Sequence, residues 1–249
     1  MTHPPEHFQG KSVPEHLKDA RKKGALATAE VHGPELPGHL AAAYDSAKDT
    51  ATALLVLWAL SLSLLPGDPI VFPLLLCFGF GFVLWKAGRT ALRGWSRLER
   101  LHKVIEEERW EIEHHRDQER EELAEMYAAK GFTGKLLDEV VDVLMADDNR
   151  LLQVMLEEEL GLSLEVYEHP LKQCLGSFIG AFSTAALLLL AHFFWPLFGI
   201  PTLALLVIGH AASRGAKLEK RGQLTAVVWN FSLSVFATAA TYFLAKYLI

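Results

Sequence analysis

"TATALLVLWALSLSLLPGDPIVFPLLLCFGFGFVLW", Thr50–Trp85, holds a single charged residue, Asp68. On either side of Pro66-Gly67-Asp68-Pro69 lies an apolar run close to the ~20 residues that a helix needs to cross ~30 Å of hydrocarbon. The tetrapeptide is made of turn formers, so Thr50–Gly67 and Asp68–Trp85 read as a membrane hairpin. Backbone amides in hydrocarbon must bond internally, which selects helices over isolated strands.

Three further runs follow: Leu175–Trp195, the shorter Leu197–Ala212, and Leu224–Ile249. Basic residues cluster at alternate ends of these five spans. Lys18, Arg21, Lys22 and Lys23 precede the first; Lys86, Arg89, Arg93 and Arg97 follow the second; Arg214, Lys217, Lys220 and Arg221 separate the fourth from the fifth. The two intervening turns carry neither Lys nor Arg. Positively charged flanks stay in the cytoplasm. The expected arrangement therefore has the N-terminus and the polar middle in the cytoplasm and the C-terminus on the opposite side. The sequence divides into an N-terminal segment with an amphipathic helix (1–49), the hairpin (50–85), a polar helical insertion (86–170) and spans three to five (171–249).

The mean hydropathy of +0.18 averages over this alternation. The net charge of −6 sits mostly in the insertion and argues against a nucleic-acid partner. Cys77 and Cys174 form neither a disulfide framework nor a zinc-ligand spacing. The first residues lack the apolar core of a signal peptide.

The insertion has helical periodicity. Leu98, Leu101, Val104, Ile105 and Ile112 extend a helix out of span two. "GFTG" (131–134) interrupts the pattern, and "KLLDEVVDVLM" (135–145) is a second amphipathic helix. A third, "RLLQVMLEEELG" (150–161), is capped by Asp147, Asp148 or Asn149 and stops at Gly161. Its Met155 and Glu159 lie four apart and share a face. The first helix carries "EEERWEIEHHRDQEREEL" (106–123). At about 100° per residue, Glu108, Glu111, His115, Glu119 and Glu122 fall within roughly 80° of one another, provided the helix is unbroken. Like charges at these spacings repel. Two explanations fit the pattern: a solvated charged face, or acids gathered for a divalent cation, with His115 as a further candidate ligand. Glu106, Glu107, Glu113 and Glu121 lie off the stripe and are expected to be solvated.

Order and residues together resemble the vacuolar iron transporter family. "ERWE" (Glu108, Glu111), "EREE" (Glu119, Glu122) and "MLEEELG" (Met155, Glu159) match its Glu-x-x-Glu pairs and Met-Met-x-x-Glu element, with Leu156 in place of the second Met. The resemblance implies an all-α, five-span membrane protein with a cytoplasmic three-helix metal-binding domain inserted between spans two and three. It implies Glu108, Glu111, Glu119, Glu122, Met155 and Glu159 as ligands for ferrous iron, with manganese, zinc or cobalt as alternatives. It further implies a homodimer in a lipid bilayer that moves metal out of the cytoplasm. The membrane half departs from the family pattern. Its Asp-Gly pair has only Asp45 and Asp49 as counterparts, neither followed by Gly, and Lys86 lies near the expected path methionine. Asp45, Asp49 and His210 are the candidate path residues, alongside His192 and Asn230. A membrane-anchored metal-binding or regulatory protein that does not transport is the alternative. No nucleophile–base pair or phosphate loop is present, and Glu111/His114 is a solitary Glu-x-x-His pair, so an enzyme is not expected.

Overall fold

The computed structural model describes residues 12–28, 38–162 and 168–248, and those residues form helices and turns without strands. The helices are α1 (Val13–Thr28), α2 (Gly38–Leu64), α3 (Val71–His114), α4 (Arg116–Ala129), α5 (Lys135–Met145), α6 (Asp148–Val154), α7 (Pro170–Phe194), α8 (Gly199–Leu218) and α9 (Gln223–Leu248). A π-helical turn, Met155–Glu159, continues α6. The chain forms two compact units: residues 1–32 with 96–167, and residues 33–95 with 168–249.

The apolar unit is built on α2 and α7. Gly176 and Gly180 stand four apart on one face of α7, and a Cβ at either would run into the backbone carbonyl of His39 or Ala43 on α2. Small residues at such spacing let two backbones approach closely, which favours helix association where lipid removes the hydrophobic drive. Ser177 sits between them and bonds Ser46 Oγ at 2.6 Å. Leu54, Leu75, Leu188, Ile200 and Ile208 fill the core beside this contact.

Among the described residues, α2, α3, α7 and α9 are long and apolar enough to cross a membrane. Helix α8, at the expected fourth span, is absent from that set. Its apolar stretch ends before Arg214 and Lys217, which lie in its last turns. Helix α2 starts at Gly38, twelve residues ahead of the expected Thr50, and so carries Asp45 and Asp49.

The polar unit begins with a helix start encoded in "SVPE". The Ser12 N–H and hydroxyl both donate to the Glu15 carboxylate, at 3.2 and 2.9 Å. Pro14 in the first turn needs no amide partner. Helix α3 continues out of the apolar run to His114, as its periodicity predicts. Helix α5 spans the predicted Lys135–Met145. Asp147 caps α6 by accepting from the Arg150 N–H at 2.9 Å. Gly161, at φ +65°, ends the π turn, and the Leu162 N–H reaches back to the Leu156 carbonyl at 2.8 Å. Leu17, Ile112, Leu123, Met126, Leu151 and Met155 meet in the core of this unit.

The condition set on the acidic stripe is not met. The acidic stretch is not a single unbroken helix: His115, at φ −128° and ψ 36°, separates α3 from α4. The interruption is confined to one residue. The His115 N–H still bonds the Glu111 carbonyl at 2.7 Å, and the Glu119 N–H bonds the His115 carbonyl at 3.1 Å. Burial of Ile112 before the break and Leu123 after it, in one core, supplies the reason for the turn.

Candidate metal centre

The break at His115 assembles the site. On a straight helix Glu108 and Glu119 would be separated by about 16 Å of axial rise. In the folded protein carboxylate oxygens of Glu108, Glu119 and Glu159 all lie within 4.8 Å of one another. The chain therefore turns back at His115. The two Glu-x-x-Glu pairs converge from opposite arms of that bend rather than from one helical face.

The sorting of acids is sharp. Glu108, Glu119, Glu122 and Glu159 are buried, at 4%, 1%, 0% and 2% exposure. Glu111 is half-buried, whereas Glu106, Glu107, Glu113 and Glu121 are exposed. Three basic residues of this unit pair with acids outside the cluster: Arg116 with Asp148 at 2.6 Å, Arg120 with Asp142 at 2.6 Å, and Lys130 with Glu158.

Burial of like charges shifts their protonation. Burial pushes Glu119 up to about 10, and the nearby charges of Glu108, Glu122, Glu159 and Glu111 add to the shift. Burial also raises Glu122, to about 8, with Glu111 adding and a hydrogen bond to Glu159 opposing. The metal-free cluster thus retains protons near neutral pH. A divalent cation would exchange for them, because carboxylates bind metal in their ionised form.

The π turn contributes Met155 and Glu159. Widening the helix by one residue per turn changes which side chains face inward, and such turns recur at functional sites. Glu159 faces the carboxylates, while the fully buried Met155 lies in the core with Leu123 and Met126. Leu156 is buried in a neighbouring cluster with Leu101 and Leu160. His115 is half-buried at the bend, with its ring edge-on to Trp110 at 5.4 Å. It belongs to neither of the two His/Asp/Glu groups whose ligand atoms converge.

The second converging group contains a residue that sequence reasoning missed. His16 Nε2 on α1 lies 3.6 Å from Glu122 Oε1 and 3.9 Å from Glu159 Oε1. The signal for α1 itself was available in the Ser-x-x-Glu start, with Val13 and Leu17 four apart. Nothing local marks His16 as facing acids more than a hundred residues away.

The candidate path residues of the apolar unit form no comparable cluster. Asp45 is exposed and pairs with Lys48 at 2.7 Å. Asp49 pairs with Lys86 of α3. His210 is exposed on α8 and lines an apolar groove of about 450 Å³ with Tyr44, Ser183 and Leu206. The His192 ring is stacked on Phe72 at 6.2 Å, and the Asn230 amide donates to the Ala226 carbonyl at 2.8 Å.

No curated protein matches the sequence. Residues 95–246 match the VIT family. That match takes in both Glu-x-x-Glu pairs, the Met155–Glu159 turn and helices α7 to α9, well over half of the chain. An apolar helical base and a matched acid-rich helical region lead to one conclusion: this is an integral membrane protein belonging to the VIT family, the family of vacuolar iron transporters.

Proposed function

We propose that the protein is a divalent transition-metal transporter, for ferrous iron or manganese, that captures its cargo at the Glu108/Glu111/Glu119/Glu122/Glu159 cluster in the cytoplasm and moves it out. The observation that carries this reading is the burial of four carboxylates, three from the two arms of the bend and one from the π turn, within a chain of the VIT family. Carboxylate-rich sites suit ferrous iron and manganese, and affinity order alone does not select between them. Met155, which opens the π turn that carries Glu159, is the proposed soft ligand. The reading includes five spans, with α8 as the fourth, an N-terminus and cluster on the cytoplasmic side, a homodimer, and no enzymatic step. Basic flanks at Lys86–Arg97 and Arg214–Arg221 support the orientation. Uptake of ferrous iron or manganese into proteoliposomes tests it: metal accumulation above protein-free vesicles, lost in Glu119→Gln, is the expected result.

A second reading is favoured by one observation. Lys86 pairs with Asp49, one of the two acids of α2. An ammonium already seated there would repel a passing metal ion. On this reading the protein binds metal at the polar unit and uses the membrane unit as an anchor. Metal binding without flux in the same vesicles would select it.

A further inference from the structure

The N-terminal helix brings a nitrogen donor to a site otherwise made of oxygens. We infer that His16 of α1 is a direct metal ligand, so that metal binding at Glu122 and Glu159 fastens α1 to the polar unit and shifts the site's preference toward imidazole-seeking metals. The inference rests on the capture reading above and adds a residue to it.

Three observations carry it. The first is distance. His16 Nε2 stands 3.6 Å from Glu122 Oε1 and 3.9 Å from Glu159 Oε1, beyond a good hydrogen bond. Two ligands bound at about 2.1 Å lie roughly 3.4 Å apart at a tetrahedral angle and about 4.2 Å apart in trans, so one ion spans both gaps. The second is seating. Leu17, the next residue, is 7% exposed and packs in the core with Leu123 and Met155, which fixes the face that α1 presents. The third is shared use of Glu159. It belongs to the His16/Glu122/Glu159 group and to the Glu108/Glu119/Glu159 group. One carboxylate can bridge a mixed nitrogen–oxygen position and an all-oxygen position. Imidazole suits zinc, iron and nickel, whereas carboxylate alone suits manganese and magnesium.

The competing role for His16 is that of a counter-ion, protonated and paired with Glu122 and Glu159. The two roles predict opposite responses. A ligand holds α1 more tightly when metal arrives; a counter-ion is displaced by the metal and releases α1.

Hydrogen–deuterium exchange of the full chain in lipid nanodiscs, with zinc or manganese as the probe, separates them. Zinc is expected to slow exchange in the Val13–Thr28 peptide by about tenfold or more, and manganese by less. His16→Gln should abolish that slowing and weaken zinc binding by about tenfold while leaving binding that depends on Glu108 and Glu119. His16→Glu, which restores an oxygen donor, should recover the protection with manganese. Zinc-edge X-ray absorption of the unmutated protein, expected to show imidazole scattering, gives a readout free of any folding defect in the variants. Unchanged or faster exchange in α1 on zinc binding, or zinc binding without imidazole scattering, would overturn the role of His16 and leave Glu119-dependent capture standing. Absence of any Glu119-dependent metal binding would overturn both.

Discussion

The polar unit and the apolar unit treat their acids in opposite ways. In the first, four carboxylates are buried together, and Arg116, Arg120 and Lys130 pair with Asp148, Asp142 and Glu158 outside that group. In the second, Asp45 and Asp49 at the start of α2 each hold a lysine, Lys48 and Lys86. Gathering like charges away from water raises the free energy of the metal-free protein, and a cation relieves it. Pairing each acid with an ammonium removes the incentive for a cation to enter. On the proposed reading, capture and passage are separate properties, and the buried acids of the polar unit are the more complete of the two sets.

The largest expected effect probes the capture side. Glu119→Gln combined with Glu122→Gln should weaken ferrous iron or manganese binding by about a hundredfold or more, equivalent to about 2.8 kcal/mol. The same pair should raise the thermal midpoint of the metal-free protein at neutral pH, since the fold no longer has to hold two buried acids in their protonated form. Titration calorimetry and thermal melts on the purified full chain check both. A loss of binding with a lowered midpoint would indicate that the acids serve packing.

Lys86→Met tests the other side of the contrast. A unit charge about 5 Å from a passing cation costs a few kcal/mol at the effective dielectric of a protein surface. Its removal should raise metal flux in proteoliposomes on the order of tenfold without changing binding at the polar unit. No change in flux would mean that Asp49 does not lie on a path.

A pH dependence should distinguish the units as well. An ordinary glutamate in the unfolded chain loses its proton near 4.5, whereas folded Glu122 and Glu119 hold theirs up to about 8 and about 10. Between those values the folded state binds more protons than the unfolded one. Stability of the metal-free protein therefore falls as pH rises from about 4.5 and levels off once Glu119 ionises. Metal affinity should rise over the same window, because fewer protons must leave. The midpoint measured at pH 5.5 should exceed that at pH 8.5, and Glu119→Gln should narrow the gap.

The smallest effect belongs to the exposed pair. Lys48→Gln should change stability by less than about 1 kcal/mol, as expected for a surface ion pair whose aspartate is 63% exposed. A larger change would mean that the pair contributes more than its exposure implies.

Much of this arrangement was legible in the sequence. Helix α5 kept the bounds that its periodicity set, Asp147 capped α6, and Gly161 ended the turn after it. Spacing set Glu108, Glu111, His115, Glu119 and Glu122 apart from Glu106, Glu107, Glu113 and Glu121; of that stripe Glu108, Glu119 and Glu122 are buried, and Glu111 and His115 are half-buried. The reason given for convergence was incomplete, because the acids meet across a bend at His115. "EHHRDQ" contains neither Gly nor Pro, and the break is imposed by burial of Ile112 and Leu123 in a common core. The π turn at Met155–Glu159 has no local signature either, since widening one turn depends on what it packs against. The pairings of His16 and Lys86 were invisible for a related reason: their partners, Glu122 and Asp49, lie far away in sequence. Local pattern records which residues are set apart, and tertiary packing decides what they are set against.

The central claim is that the buried acids hold protons in trust for a metal. The most direct measurement is an anaerobic ferrous iron titration of the full chain in nanodiscs at pH 7, with binding and proton release recorded together in buffers of different ionisation enthalpy. The account predicts saturable binding accompanied by release of about one to two protons per cluster, both abolished in Glu119→Gln. Binding with no proton release, or binding that Glu119→Gln leaves intact, would contradict it.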